Sequence, residues 1–105
     1  MNFKGTLPTL ILEALAQAPS HGYAIAQSIK SRSRGILDFK EGTLYPALHK
    51  LEAAGHIQSY EGSENNRPRR YYRITEEGRA MLRQWSEIWR QTRGFVDRFI
   101  EGPHS

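Results

Sequence analysis

The sequence predicts a mainly α-helical domain carrying one small β-hairpin, and three observations predict it. Apolar residues recur at helical spacing through residues 7–55. After Gly55 the period changes, and "HIQSY" (56–60) and "RRYYRI" (69–74) read as two short strands rich in Tyr and Ile. Helical spacing then resumes after Thr75 and runs to about residue 101. The expected order is helix, helix, helix, hairpin, helix.

The first helix is "LPTLILEALAQAP" (7–19), apolar on several faces and therefore in need of cover on more than one side. Thr6 followed by Leu7-Pro8 suits its start, since proline is tolerated in a first turn, and Pro19 stops it. Ser20 precedes the second helix, in which Tyr23, Ile25, Ala26 and Ile29 recur and which Gly35 ends. Ile36 and Phe39 bracket a connector to the third helix, whose stripe is Leu44, Leu48 and Leu51 and whose end is Gly55. The hairpin strands flank "EGSENNRP", a polar loop of about eight residues, longer than a tight turn needs. On the returning strand Tyr72 and Ile74 share a face that belongs to the core, while Tyr71 and Arg73 point the other way. Thr75 followed by Glu76-Glu77 supplies an N-cap and an acidic first turn for the last helix.

With 105 residues the chain makes one domain. Its apolar content of 38% and charged content of 25% are those of an ordinary globular protein. No apolar run approaches the ~20 residues that span a bilayer, and "MNFKGTLPTL" lacks the parts of a signal peptide. With no cysteine, disulfides and thiolate zinc sites are excluded, and a cytoplasmic location is expected. The net charge is +4, and residues 21–73 hold nine Lys/Arg against five Asp/Glu, whereas residues 74–105 hold five of each. A basic middle with a neutral tail points to a polyanionic partner, most often nucleic acid.

The stretch "EGTLYPALHKLEAAG" (41–55) sharpens that reading. A helix that only packs has no need of Thr43, Tyr45 and Pro46 at its exposed N-terminal end. Three helices followed by a hairpin make the winged helix-turn-helix, which binds DNA by turning that end of its third helix toward base edges and phosphates. Thr43 can bond a phosphate or meet a thymine methyl, and Tyr45 can offer its hydroxyl to a phosphate while its ring covers sugar. Pro46 is expected where a missing N–H costs nothing, with His49 and Lys50 one turn on. In the wing, Arg67, Arg69 and Arg70 suit a narrow minor groove and its phosphates, although Glu61 and Glu64 in the same loop favour a merely solvated one.

Three motifs, "HGYAIAQSI", "EGTLYPALHKLEAAGHI" and "RPRRYYRITEEGR", strongly resemble the PadR family of bacterial transcriptional regulators, in order and spacing over nearly the whole chain. The single short C-terminal helix resembles the smaller PadR subfamily. The resemblance implies a winged-helix homodimer that binds palindromic operators, usually as a repressor relieved by a small molecule, and it adds Tyr23 to the DNA-binding candidates. The wing departs from the family, with two asparagines in "GSENNRPRR" where many members have a shorter glycine-proline stretch.

The division expected is residues 1–75 as the DNA-binding winged helix-turn-helix and residues 76–105 as a C-terminal dimerisation helix and tail, together one compact unit. Met81, Trp85, Ile88, Thr92, Phe95 and Phe99 step by four and three, a 3.5-residue seam for helix pairing. With Leu10 on the over-apolar first helix, that seam is closed most simply by a two-fold dimer. In multidrug-sensing members of the smaller subfamily, tail-helix tryptophans stack flat aromatic drugs. The resemblance therefore offers Trp85 and Trp89 as a ligand slot, against the preferred reading of plain packing.

No phosphate-cradling loop, nucleophile elbow or dinucleotide fingerprint is present. His21, His49, His56 and His104 are scattered, and His49 with Glu52 makes at most two ligands on one helix face. No enzyme, metal or cofactor is expected. The alternative to a DNA-binding regulator is a winged-helix module that docks an acidic protein.

Overall fold

The computed structural model describes residues 3–85, with side chains from Leu7 onward. The order is α1 (Phe3–Gln17), β1 (Ser20–His21), α2 (Gly22–Arg32), α3 (Glu41–Ala53), β2 (Ile57–Glu64) and β3 (Arg67–Ile74). A further helix, α4, occupies residues 76–85. Ile88, Thr92, Phe95 and Phe99 of the expected seam and Trp89 of the expected ligand slot lie outside the described residues.

Helical spacing sends one face of each helix inward. Leu7, Ile11, Leu12, Ala14 and Leu15 of α1, Ile25 and Ile29 of α2, and Leu44, Leu48 and Leu51 of α3 meet Ile57, Tyr72 and Ile74 of the sheet in a single core. Met81 and Leu82 of α4 and Leu10 of α1 pack against its edge, half-buried. The alternation of β3 places Tyr72 and Ile74 inside and leaves Arg73 exposed, as its sequence predicts.

Two proline positions differ from expectation. Pro8 and Pro46 each lie inside their helices rather than in a first turn, because α1 begins at Phe3 and α3 at Glu41. Pro46 is past the orphan N–H positions, so the carbonyl of Gly42 loses the donor a regular helix would give it. The absent N–H therefore does carry a cost, and it falls on the exposed side of α3.

The hairpin is also tighter than the sequence indicates. The ladder continues from Ile57↔Ile74 out to Glu64↔Arg67, leaving only Asn65 and Asn66 in the turn. Both have positive φ, 52° and 67°. That is the type I′ geometry, which matches strand twist and which asparagine tolerates better than most residues. The two asparagines that distinguish this wing are its turn.

A third strand was not expected. Ser20–His21 pairs antiparallel with β3 through Ser20↔Tyr72 and His21↔Tyr71, giving the sheet order β1-β3-β2. Two residues carry no periodicity, and only the neighbouring strand defines them.

The end of α3 and the start of α4 are made as the sequence reads them. Gly55, at φ 82°, lets His56 N–H reach the carbonyl of Leu51 at 2.9 Å and closes α3. Thr75 Oγ1 accepts from Gly78 N–H at 3.1 Å and caps α4. A glutamate at position 78 would complete a capping box, but a Cβ there would stand 2.1 Å from the carbonyl oxygen of His56. Close backbone approach dictates glycine. Gly78→Ala should therefore cost about 2–3 kcal/mol of stability in a denaturant melt, and an unchanged midpoint would show that α4 does not dock as described.

Candidate nucleic-acid interface

The exposed side of α3 carries Thr43, Pro46, His49 and Lys50, while Leu44, Leu48 and Leu51 hold the opposite side in the core. The N-cap residue Lys40 makes no side-chain cap. Thr43 and Leu44 N–H both turn back to the Lys40 carbonyl. A helix start of this kind presents positive dipole and backbone N–H groups to an anion.

Tyr45 does not share that stripe. It is half-buried, and a Cβ on Gly22 would stand 2.8 Å from its hydroxyl and 3.1 Å from the ring carbon bearing it. The phenol thus lies on the bare backbone where α2 begins, joining the two helices of the helix-turn-helix. Gly22→Ala should displace the ring and lower the melting temperature by several degrees, with Tyr45→Phe leaving it nearly unchanged. If Gly22→Ala melts like the wild type, the two helices are not in register through this contact.

Alternation along β3 separates the wing arginines. Arg70 lies on the face that includes Tyr72, 3.8 Å from Glu61 across the ladder. It also sits beside the Tyr72 hydroxyl, whose pKa burial pushes up and Arg70 pulls back. Arg67 and Arg69 fall on the opposite face with Tyr71 and Arg73. There Tyr60 stacks on Tyr71 at 5.7 Å, and Tyr71 meets the His21 ring edge-on at 5.5 Å. Arg73 lies over the Tyr60 ring and donates to Gln58 Oε1.

On this second face an open cleft of about 630 Å³ separates α2 from the wing, bounded by Tyr23, Gln27, Glu64, Arg67 and Arg69. Tyr23 is largely exposed, and its hydroxyl accepts from Gln27 Nε2 at 2.9 Å. Of the residues the sequence singled out, α3 and Arg70 make one cluster, and Tyr23, Arg67 and Arg69 another. The turn Asn65–Asn66 lies at the end of the hairpin that divides them.

The sequence reading missed His21 and Glu64. The His21 ring is buried, and its Nδ1 accepts Ala24 N–H at 3.2 Å, capping α2. The ring proton is therefore on Nε2, which donates to Glu64 Oε2 at 2.8 Å. A polar residue just before Gly22 is a cap by position, but no local signal pairs it with a glutamate 43 residues away.

Glu52 turns to the sheet and ties α3 to β2. Its carboxylate takes the hydroxyl of Ser59 at 2.6 Å and the Ser59 N–H at 3.0 Å, which lowers its pKa from the ordinary 4.5. Among the described residues no group of three His, Cys, Asp or Glu gathers to hold a metal. No helix among them is long and apolar enough to cross a membrane.

A winged helix-turn-helix with these motifs has known counterparts. Residues 11–84 match the model of the transcriptional regulator PadR-like family. The chain belongs to the PadR-like family. It is similar to a transcriptional regulator from Clostridium thermocellum, with 38% identity, a TM-score of 0.81 and 92% of this chain matched to 95% of that one. It is 42% identical over 72 residues to the transcriptional regulator Rv3488 of Mycobacterium tuberculosis, covering 69% of this chain and 64% of the relative. Bacillus subtilis PadR, solved in complex with operator DNA, is 26% identical with a TM-score of 0.68, over 76% of this chain and 46% of that one. This PadR-like chain is a transcriptional regulator and not an enzyme.

A pH measurement tests the α3–β2 tie. Because the folded pKa of Glu52 is lowered, its contribution is full above 4.5 and disappears as pH falls through the folded value. Glu52→Gln should thus cost at most about 1 kcal/mol at neutral pH, and progressively less as pH falls below 4.5, by urea melts. A cost that does not change with pH would remove the charge from the account.

Proposed function

We propose that this chain is a sequence-specific DNA-binding regulator, a homodimeric repressor that reads a palindromic operator in the cytoplasm. The observation that carries the reading is the outward stripe Thr43, Pro46, His49 and Lys50 on α3, with Arg70 on the wing face beside it. The operator complex of the related Bacillus subtilis PadR supports duplex DNA as the partner. Short polar groups at the start of α3 suit base edges, and the basic groups around them suit phosphate. Tyr45 then acts by fixing the angle of α3 and by offering its hydroxyl at the rim.

Residues 1–75 would carry the DNA contacts and residues 76–105 the two-fold pairing, through Leu10, Met81, Trp85, Ile88, Phe95 and Phe99. Leu10, Met81 and Trp85 are half-buried, which leaves apolar area for a partner. Two recognition helices held about 34–36 Å apart would meet successive major grooves of a palindrome. Trp85 and Trp89, one turn apart in sequence, would pack in that seam, where facing indoles would also suit a planar aromatic effector between subunits.

The test is a binding titration against a duplex selected by the protein from a randomised pool. Thr43→Ala should weaken that duplex by about 1–3 kcal/mol and relax its selectivity. Arg70→Ala should weaken all duplexes alike and reduce the salt slope by about 1. Ile88→Glu should yield monomers or insoluble protein in sedimentation. Selected-duplex binding that survives both DNA-face substitutions would refute this face, and DNA-competent monomers would refute the seam.

A further inference from the structure

The outer half of the wing is an arm. The last buried residue of its ladder is Tyr72, paired with Ser59. From Ser59 to Glu64 the strand runs on for about 17 Å at ~3.4 Å per residue. An arm of that length moves its tip by ~3 Å for a tilt of 10°, several times the tolerance of a directed contact. Its alignment needs a brace.

Glu52 of α3 holds the base of the arm at Ser59, and β1 pairs with it as far as Tyr71. Beyond these, among the described residues, one side-chain hydrogen bond joins the tip of the hairpin to the start of α2: His21 Nε2–H to Glu64 Oε2, 2.8 Å. It ends on the last residue of β2, beside the turn, and begins on the residue whose other ring nitrogen caps α2. The donor is nearly buried, with 11% of its side chain exposed, so the bond is shielded from water at that end. Glu64 also lies 3.9 Å from Arg69 Nε, a buried donor with no hydrogen-bond acceptor among the described residues. One carboxylate thus ties the wing tip to the start of α2 and places a negative charge among the arginines of that tip.

We infer that Glu64 is a positioning residue of the DNA interface. Its bond to His21 fixes the angle of the wing, and its charge restrains the wing's sequence-independent attraction to phosphate. The inference rests on the DNA-binding reading above. The two roles have different chemistry. A glutamine still accepts the His21 Nε2–H but carries no charge, whereas an alanine does neither.

The experiment measures Glu64→Gln and Glu64→Ala against the selected duplex and a scrambled one across a salt series, with the His21 ring N–H followed by NMR. Glu64→Gln should keep a slowly exchanging ring N–H, bind both duplexes about threefold tighter with a steeper salt slope, and preserve their ratio. Glu64→Ala should lose the protected N–H and reduce the selected-to-scrambled ratio by about tenfold, in a protein that still melts cooperatively within a few degrees of the wild type. A wild-type ratio in Glu64→Ala, or the same fall in Glu64→Gln, would overturn the proposal. Failure of the wild type to bind any duplex would instead show up before either variant is made, and would remove the DNA-binding reading itself.

Discussion

Strand β3 is the constraint on which the interface depends. It is paired on both edges, to Ser20–His21 on one side and to the full length of β2 on the other. A slip of one residue would turn Tyr72 and Ile74 outward and bring Tyr71 and Arg73 into an apolar core. Burying the Arg73 charge there would cost several kcal/mol, so the register cannot drift. That fixed alternation decides which arginine faces α3 and which faces α2. It also sets the length of the wing, since the ladder continues until two left-handed asparagines close it.

Much of this was legible in the sequence where a period existed. The α3 stripe of Leu44, Leu48 and Leu51 and the Tyr72/Ile74 alternation are local patterns, and they set the three-helix core and the hairpin. The features that escaped are mostly pairings between distant segments. Ser20–His21 becomes a strand only because β3 lies beside it. The direction of Tyr45 follows from an absent side chain at Gly22, which no period announces. The hairpin turn read as a loop of about eight residues because Asn-Asn is a less familiar type I′ pair than Asn-Gly, and the charged flanks looked like solvated loop.

Those flanks reverse their meaning in the fold. Glu61 and Glu64 in the sequence favour a solvated, mixed-charge loop. In the ladder they are cross-strand or diagonal neighbours of Arg70 and Arg69 at 3.8 and 3.9 Å. Pairs this exposed contribute little to stability, roughly 0–1 kcal/mol. Their consequence is for binding, because a guanidinium held loosely by a carboxylate is already oriented and readily exchanges that partner for a phosphate. The glutamates also moderate the field of a chain whose surplus of positive charge lies between residues 21 and 73.

The same economy of contacts explains why the two helices of the motif need not be stiff alone. The start of α2 is fixed three times: by the His21 cap, by Tyr45 lying on Gly22, and by the sheet pairing of Ser20 and His21. The start of α3, in contrast, has no side-chain cap and contains a proline that releases a carbonyl. Rigidity is thus concentrated in α2 and the sheet, behind the reading helix, and the uncapped N–H groups are left at its exposed end. An end that satisfied its own donors would have fewer to offer a phosphate, so the local instability of α3 and its fitness for an anion have one cause.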